Sequence, residues 1–402
     1  MTATPRTGRD VVFTFSYETW DDAVHRGMMR PPDRLAAALL ADPELRRVIV
    51  ANPFRWLPSL VARRVLHRDA PFPSDPHARL VQPWRLRDRI DPVDLGALEA
   101  RYRAYGKALG RAAGADGMRG PVVLTTNPLV AGLAGIDWAE RVVYFGRDDW
   151  LSYPGRSAFW PAYAEAYARM ARDGIPVAAV SQQIVDRIGP TGPHAVVPNG
   201  VEVGEWTGPA PEPPGWFASI QGPRAVYVGT IDDRLDVAGV ARLATERPQV
   251  SFVLVGPIPD PELVAPLAPL ENVVVHPGVG RRELVAVLRN AQAALVAHRV
   301  TALTEAMSPL KAYEYLAAGV PVLSVDLPPM RGIDDRVILS PDVAGSAAQL
   351  DATLALGRAS EADRLRFVQS NSWASRHKAV FDLLFGGVAR GGVPGPSANV
   401  SV

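Results

Sequence analysis

The 402-residue chain contains no cysteine, which excludes a thiol nucleophile, a disulfide framework and a cysteine-ligated zinc site. Its seven histidines are scattered without a pair at metal-ligand spacing, so a histidine-ligated zinc site is not expected either. No apolar run approaches the ~18 residues that are needed to span a bilayer. The polar start, residues 1–10, does not have the pattern of a secretory signal. These absences make a cytoplasmic protein the expectation.

The net charge of +1 hides an uneven distribution of charged residues. Residues 1–120 hold 20 Lys and Arg against 14 Asp and Glu, whereas the remainder holds 23 against 28. A basic half suits an acidic ligand or a membrane surface, although ordinary solvated arginines would give the same count. Nucleic acid is not expected as a partner, because the basic residues are dispersed and no aromatic–basic binding motif is present.

Short apolar, β-rich runs alternate with helix-like stretches along the whole chain. Strands are predicted over residues 11–16, 48–51, 122–126, 141–145, 177–181, 195–198, 225–228, 251–255, 272–276, 293–296 and 320–325. Helices are predicted over residues 33–41, 95–113, 157–172, 236–246, 281–290 and 309–318. Because strands that are apolar on both faces alternate with helices, the pattern predicts an α/β fold with parallel sheets covered on both sides.

The length suggests two domains, and a proline cluster indicates where they join. Residues 207–222 hold four prolines without periodicity and are predicted to be the interdomain linker. The first domain would be residues 1–206 and the second residues 223–372. Since parallel α/β sheets bind ligands outside the carboxyl ends of their strands, the two domains are expected to face those ends across a cleft. Residues 386–402, rich in Gly and Pro, are predicted to be a disordered tail.

The most informative segment, residues 308–322, has the sequence SPLKAYEYLAAGVPV. Ser308 is predicted to be the N-cap of a helix and Pro309 its first residue. The free N–H groups of Leu310 and Lys311 lie at the positive end of the helix dipole, and Lys311 adds a full charge. This arrangement predicts a binding site for a phosphate-like anion.

Glu314 lies one turn further along the same face of this helix. Its carboxylate could accept hydrogen bonds from the diol of a sugar or a ribose. An anion site and a diol acceptor one turn apart are what a nucleotide sugar needs. The alternatives are a surface lysine on a well-capped helix and an exposed glutamate paired with Lys311.

Further motifs follow one another in a consistent order and spacing: 197–201 (VPNGV), 227–231 (YVGTI), 253–257 (VLVGP), Arg299 with Leu303 and Thr304, and residues 308–322. Together they resemble the motifs of GT-B glycosyltransferases of the family 4 type, especially bacterial enzymes of teichuronic-acid-type or other surface polysaccharide synthesis. The resemblance covers most of the chain. It implies two Rossmann-like domains and a helix over residues 373–385 that crosses back to the first domain.

The resemblance also implies an activity. A hexosyltransferase would move a sugar from a nucleoside-diphosphate sugar, its co-substrate, to a hydroxyl of an acceptor, with retention of configuration and with no metal or other cofactor. The acceptor could be a small molecule such as a secondary metabolite, a lipid-linked glycan or a growing polymer. Two alternatives stay open: an epimerase-like GT-B enzyme, or a non-catalytic protein that binds a nucleotide sugar within an assembly complex.

The resemblance assigns residues to each part of the donor. Those expected at the diphosphate are Lys311, Leu310, Ser308, Gly229, Thr230, Arg234 and Arg299. Glu314 and Thr304 are expected at the ribose and sugar, and Gly280 and Arg281 at the nucleobase. The family's first glutamate is missing, because Ala306 stands at its position and Glu305 is one residue out of register.

Candidate acceptor-side residues lie in the first domain. Asp149, with Asp148 beside it, follows a predicted strand where relatives carry a double Asp, and it could take the acceptor's proton or stabilise an oxocarbenium charge. A capping or solvated loop carboxylate is the alternative. Trp20, His25 and Arg30 follow the first strand and are the candidates for acceptor binding, although a purely structural loop fits equally.

Residues 54–66 mix aromatics and leucines with arginines. This pattern would let the first domain rest on an anionic membrane, as a peripheral protein at its inner face that reaches a lipid-linked acceptor. An amphipathic helix packed on its own sheet is the favoured alternative.

Overall fold

The computed structural model describes residues 8–58, 60–61, 70–86 and 92–386. The chain divides into two compact units, the first being Met1–Pro198 with Arg376–Val402 and the second Asn199–Ser375. The predicted disordered tail lies outside the described residues, apart from Gly386.

The first unit is built on a parallel sheet. Its strands are β1 (Arg9–Thr14), β2 (Leu45–Ala51), β3 (Arg55–Trp56), β4 (Ala78–Val81), β5 (Trp84–Arg85), β6 (Val122–Thr125), β7 (Arg141–Gly146), β8 (Val177–Ala179) and β9 (His194–Val196). Seven of them form one sheet in the order β4-β2-β1-β6-β7-β8-β9, and β3 pairs with β5 separately. The central strands β1 and β6 consist of buried residues apart from Arg9, as expected for a sheet covered on both faces.

Helices lie between these strands. They are α1 (Trp20–His25), α2 (Pro31–Ala41), α3 (Leu95–Ala115), α4 (Pro128–Leu133), α5 (Trp160–Arg172) and α6 (Gln182–Ile188), with a 3₁₀ segment at Pro154–Phe159. Tyr105 and Leu109 of α3 pack with Val12, Ile49 and Val123 of the sheet in one hydrophobic cluster.

The second unit has a six-stranded parallel sheet. Its strands are β10 (Arg224–Val228), β11 (Ser251–Val255), β12 (Val273–His276), β13 (Ala293–Val296), β14 (Val322–Val325) and β15 (Val337–Ser340), in the order β12-β11-β10-β13-β14-β15. Its helices are α7 (Val203–Trp206), α8 (Gly215–Ala218), α9 (Val237–Glu246), α10 (Arg281–Arg289), α11 (Ala302–Ala306), α12 (Leu310–Ala317), α13 (Ala347–Ala355) and α14 (Glu361–Ser370). A last helix, α15 (Trp373–Phe385), begins in this unit and belongs to the first unit from Arg376 onward.

Both sheets share one topology. When only the strands of each large sheet are counted, the strand order is 3-2-1-4-5-6 in both, with β9 as a seventh strand in the first sheet. In such sheets the chain reverses its winding between strands 1 and 4, and ligands bind outside the carboxyl ends at this switch point. The switch points are β1/β6 and β10/β13. The prediction of two Rossmann-like parallel-sheet domains is confirmed.

Two strands of these sheets, β4 and β15, were missed by the apolar-run pattern. Both are edge strands, and their residues are mostly half-exposed. An edge strand needs no continuous apolar run, because only part of its surface is covered.

The proline-rich residues 207–222, predicted to be the linker, lie within the second unit, and the unit boundary falls at Pro198/Asn199. Phe217 is fully buried in the core of this unit. Trp216 stacks on His276 with ring centroids 3.8 Å apart, and its Nε1 donates to Glu283 at 2.7 Å. These aromatic contacts fix the segment to the second sheet's own helices and strands.

In the described part of the chain, no helix combines the length and the apolar character that a membrane crossing requires. Segment 54–66, for which membrane contact was considered beside a helix packed on its own sheet, lies partly outside the described residues.

Candidate active site

The helix of the anion-site segment is α12, which begins one residue later than predicted. Pro309 is its N-cap, so Ser308 is not. The Ser308 hydroxyl instead accepts a hydrogen bond from the Asn199 N–H at 3.1 Å, and the Ser308 carbonyl accepts one from Asn199 Nδ2 at 2.6 Å. Gly319, at φ +80°, ends the helix as predicted, because the left-handed conformation suits glycine.

Tyr315 fixes α12 against the central strand β10. Its buried hydroxyl accepts a hydrogen bond from the Val228 N–H at 2.8 Å, at the carboxyl end of that strand. The contact places the start of α12 beside the turn at Gly229. Sequence reasoning missed Tyr315, because a tyrosine on the buried face of a helix carries no sign of a backbone partner.

Lys311 reaches across this turn at the switch point. Its Nζ lies 3.8 Å from the ring centroid of Tyr227 and 3.2 Å from His298 Nε2. Burial, with help from the nearby charge of Arg234, lowers the pKa of Lys311 to about 7. The chain has only three lysines against 40 arginines, so a lysine here is a departure from its usual cation. A compact ammonium fits between the two rings where a planar guanidinium would not.

His298 is the buried partner of Lys311 and follows β13. It is 2% exposed, and burial together with Lys311 and Arg234 holds its pKa well below the usual value. The imidazole is therefore neutral, and its Nε2 can accept from the ammonium form of Lys311. Sequence reasoning missed His298, since a single histidine among apolar residues is more often a core residue.

Gly229 provides the space that Lys311 occupies. Its φ is +137°, a conformation that other residues rarely adopt, and a Cβ there would lie 3.0 Å from Lys311 Nζ. The neighbouring turn is equally tight, because a Cβ on Gly256 would lie 1.9 Å from the Gly229 carbonyl oxygen.

Replacing Gly229 with alanine is expected to displace Lys311 and to destabilise the protein by about 1–3 kcal/mol, the usual cost of a strained backbone conformation. Urea unfolding measures the stability, and calorimetric titration with a nucleoside diphosphate measures binding. Gly215→Ala is the matched control, because a Cβ at Gly215, outside the proposed donor site, meets nothing within 4 Å. Equal binding by Gly229→Ala and the wild type would contradict this account of the turn.

The other residues expected at the diphosphate lie at the same switch point but differ in exposure. Arg234 is paired with Asp232 at 2.6 Å, and its carbonyl accepts from the Arg299 N–H at 2.8 Å. The Arg299 side chain is exposed. The Thr230 carbonyl accepts from the Tyr227 hydroxyl at 3.2 Å. The fold thus brings Arg234 close enough to Lys311 for their charges to interact, although the two are distant in sequence.

Glu314 pairs with Arg281 and not with Lys311. The alternative interpretation, an exposed glutamate paired with Lys311, is therefore wrong. The Glu314 carboxylate lies 2.5 Å from Arg281 Nη1, and Arg281 also contacts Glu205 at 2.5 Å. Burial raises the pKa of Glu314, although Arg281 opposes this effect. The structure therefore joins the candidate ribose residue and the candidate nucleobase residue in one ion-pair network.

Thr304, a candidate at the sugar, uses its hydroxyl inside the protein. The group donates to the Arg299 carbonyl at 2.7 Å and accepts from the Thr301 N–H at 2.9 Å, where it caps α11. Thr304 is fully buried, and Ala306, at the position of the missing glutamate, is 3% exposed. The Thr304 side chain therefore has a structural role, and a contact to the sugar is not supported.

In the first unit, Asp149 is engaged locally. Its carboxylate accepts from the Leu151 N–H at 3.2 Å and from the Ser152 hydroxyl, and Arg187 lies 3.5 Å away. It is 2% exposed. This is the geometry of a carboxylate that stabilises a turn. Asp148 is half-exposed and lies 3.0 Å from Arg147.

Asp149→Asn is accordingly expected to lower stability by about 1–3 kcal/mol, because buried hydrogen bonds to a charged group are lost. Asp148→Asn, the matched control, should stay within about 0.5 kcal/mol of the wild type. Thermal unfolding measures both. If Asp149→Asn is as stable as the wild type but inactive, its role is catalytic instead.

The three candidates for acceptor binding differ in environment. Trp20 is 4% exposed, with its N–H donating to Asn52 at 2.7 Å and its Nε1 to the Pro71 carbonyl at 3.1 Å. His25 and Arg30 are exposed, and His25 Nδ1 lies 2.7 Å from the Asp21 carbonyl. Trp20 is therefore a core residue, and only the other two present their side chains to solvent.

Sequence reasoning also missed Glu18, which follows β1. It is buried and lies 2.5 Å from Arg147 and 3.8 Å from Arg26. Burial opposes its ionisation, but Arg147, the backbone N–H groups of Glu18 and Tyr17 and, to a smaller extent, Arg26 together lower its pKa. No group of three or more His, Asp or Glu side chains is placed to hold a metal ion in the ranges that the structure describes.

Residues 222–355 match the family model of glycosyl transferases group 1. No curated protein matches the sequence.

Three solved structures illustrate the fold. Sucrose-phosphate synthase from Thermosynechococcus elongatus is 15% identical, with 94% of this chain and 100% of that chain covered and a TM-score of 0.64. WaaG, a glycosyltransferase involved in lipopolysaccharide biosynthesis, is 16% identical over 94% and 100% of the two chains, with a TM-score of 0.58. Anabaena Alr3699/HepE in complex with UDP is 12% identical over 94% and 100%, with a TM-score of 0.63.

The solved structures confirm the predicted GT-B fold. The family model over residues 222–355 supports the predicted enzyme class, a glycosyltransferase. The residues expected at the donor all lie within residues 222–355, whereas their partners Glu205 and Asn199 lie outside this range. The family 4 subtype, retention and the acceptor stay predictions.

Proposed function

We propose that this chain, with its group 1 glycosyl transferase domain, transfers a sugar from a nucleoside-diphosphate sugar to a hydroxyl group of an acceptor, with retention of configuration. The observation that supports the proposal best is the position of Lys311 Nζ. It lies beside the Gly229 turn, at the switch point of the donor-side sheet and in the first turn of α12.

In this proposal the protein stabilises the leaving group. Lys311 and the N–H groups at the start of α12 bind the diphosphate, and Arg234 and Arg299 add positive charge. Negative charge grows on the β-phosphate as the bond to the anomeric carbon breaks, and preorganised donors lower that barrier. The acceptor oxygen then bonds to the anomeric carbon on the same face, and the departing phosphate takes the acceptor's proton. This last step is carried over from the family resemblance.

The remaining donor and acceptor assignments belong to the same proposal. The Arg281–Glu314 pair would meet the nucleoside, with Glu314 turned to the ribose diol and Gly280 and Arg281 near the base. His25 and Arg30 remain candidates at the acceptor, which we take to be a small molecule or a lipid-linked glycan. Peripheral contact of the first unit with a membrane would serve the second case.

A thermal-shift panel of UDP, GDP, dTDP, ADP and CMP tests the donor site. UDP is the first to examine, since HepE was solved with it. A nucleotide that binds only the folded protein at about 100 times its dissociation constant should stabilise it by about 2.7 kcal/mol. We expect one nucleoside diphosphate to shift the melting temperature, with or without EDTA. No shift with any of them would contradict the proposal.

The same titration should depend on pH. Because the pKa of Lys311 is about 7, the ammonium that attracts the diphosphate is mostly lost between pH 6 and pH 8.5. The groups that face it are His298, Tyr227, Arg234, Asp232 and Glu314. We expect binding to weaken several-fold over this range, and a Lys311→Met variant to bind weakly with a flatter profile.

A further inference from the structure

The first unit contains a cavity of about 260 Å³ at the switch point of its sheet. Residues 15–17, which follow β1, line one side of it, and Asn127, which follows β6, lines another. Residues 53–55, after β2, complete this edge. Because ligands of doubly wound sheets bind outside the carboxyl ends at the switch point, this is the expected place for a ligand of the first unit.

The charge of the lining has one sign. Four arginines line the cavity, namely Arg55, Arg85, Arg101 and Arg156, and none of the described lining residues is Asp or Glu. Guanidinium groups stay charged at any relevant pH. Three of the four belong to residues 1–120, where the sequence shows its excess of basic residues. Part of this excess of basic residues therefore lines the cavity.

Arg156 is held in position by an aromatic ring. Its guanidinium carbon lies 4.1 Å from the ring centroid of Tyr17, whose hydroxyl is 2.5 Å from that of Tyr163. No carboxylate pairs with Arg156 within the described ranges of the chain. Its hydrogen-bond donors therefore remain available to a ligand.

Two of the arginines face the same phenol. Burial raises the pKa of Tyr102 to about 12, and Arg156 and Arg85 both act against this increase. Tyr102 is itself part of the lining. Positive groups from the segment after β7 and from β5 thus act on one point of the cavity, and Arg101 of α3 is also part of the lining.

We infer that this cavity binds the oxyanion, a phosphate or a carboxylate, of an acidic acceptor sugar. Arginine is the side chain whose planar fork matches both groups in a bidentate manner. The aromatic lining of Tyr17 and Tyr102 offers apolar faces to a sugar ring. The identification of this sugar as the acceptor rests on the proposed function, whereas the oxyanion site is inferred from the lining residues alone.

The size of the cavity fits a single charged sugar. Since one water takes up about 30 Å³, the cavity holds the equivalent of about nine waters. That is the space of one monosaccharide with a charged substituent. A phosphate carries up to two negative charges, so it should bind more tightly than a single carboxylate.

The test is calorimetric titration of the full chain in low-salt, phosphate-free buffer. The probes are glucose 6-phosphate, glucuronic acid and neutral glucose, and the active nucleoside diphosphate is titrated separately. We expect glucose 6-phosphate to bind at least tenfold more tightly than glucose, with glucuronic acid between them if the carboxylate is also accepted.

Variants then locate the site. Arg156→Gln and Arg101→Gln should each weaken binding of the anionic sugar about tenfold, because each removes one positive charge from the lining of the cavity. Arg111→Gln, an exposed arginine further along α3, is the matched control and should bind like the wild type. Nucleoside diphosphate binding should be the same in all three variants, which shows that they are folded.

The outcomes separate this inference from the proposed function. If neither anionic sugar binds more tightly than glucose, or if both cavity variants bind it like the wild type, the inference is overturned. Nucleoside diphosphate binding in the same experiment then tells whether the proposed function stands without it. Loss of anion binding only in the cavity variants supports the inference.

Discussion

Replacing Lys311 with alanine is expected to lower kcat/KM for glycosyl transfer about 10²–10³-fold, the usual effect of removing one preorganised donor from a developing negative charge. The ammonium lies against the Gly229 turn, where the leaving diphosphate is proposed to bind. Lys311→Arg should not restore the rate, because the space between Tyr227 and His298 suits a compact ammonium. Initial rates of nucleoside diphosphate release, with and without acceptor, measure the effect.

The control is Lys378→Ala, which removes an exposed lysine paired with Asp382 on α15. It should retain full activity. The Lys311 variant should also stay folded, because the substitution removes an ammonium group whose burial opposes folding. Because its folded-state pKa is lowered from 10.5 to about 7, the unfolded chain binds the additional proton between these values. The wild type therefore gains stability as pH rises through this window, and Lys311→Ala should lack that increase. A fully active Lys311→Ala variant would contradict both the donor site and the proposed mechanism.

Replacing Arg281 with methionine is expected to destabilise the protein by about 2–3 kcal/mol, because it leaves the buried Glu314 carboxylate without its partner. The side chains of Glu314 and Arg281 are 10% and 25% exposed. The loss of folding stability should therefore lie at or below the lower end of the range for broken buried ion pairs. Urea unfolding at pH 7 measures it. The loss should shrink at acidic pH, since an unpaired buried glutamate has a raised pKa and becomes neutral.

A double variant separates the charge from the packing. Arg281→Met with Glu314→Gln should recover most of the lost stability, because the buried charge is gone as well. Arg242→Met, which breaks the exposed pair with Glu246, is the matched control and should cost no more than about 0.5 kcal/mol. If Arg281→Met is as mild as this control, the ion-pair network contributes little to the donor-side unit.

Much of the proposed donor site could be predicted from the sequence, because its parts are local along the chain. The helix after Pro309, its glycine end and the cation at Lys311 all lie within one short segment, where spacing determines which groups share a face. The strand–glycine pattern at Gly229 was equally local. Such signals survive in a single sequence, and the order of the motifs indicated the GT-B family.

The contacts between side chains could not be predicted from the sequence, because they join segments that are distant along the chain. Nothing in the sequence connects Glu314 with Arg281, or Lys311 with His298. Ser308 reads as a helix cap from its neighbours, yet its hydroxyl is held by Asn199, more than 100 residues earlier. The choice of partner depends on which strand ends lie side by side.

The sequence by itself determined the class of this protein: an alternation of buried strands and helices, and a capped helix start with a lysine, which together indicate a nucleotide-sugar enzyme. Only the tertiary structure decided which side chains can act on a ligand. In the structure, Thr304 and Trp20 are buried, and the Asp149 carboxylate accepts hydrogen bonds within a turn. Four arginines line one cavity. The physical reason is that local propensity and periodicity depend on near neighbours, whereas burial, pKa and charge pairing depend on which distant segments the parallel sheets place together.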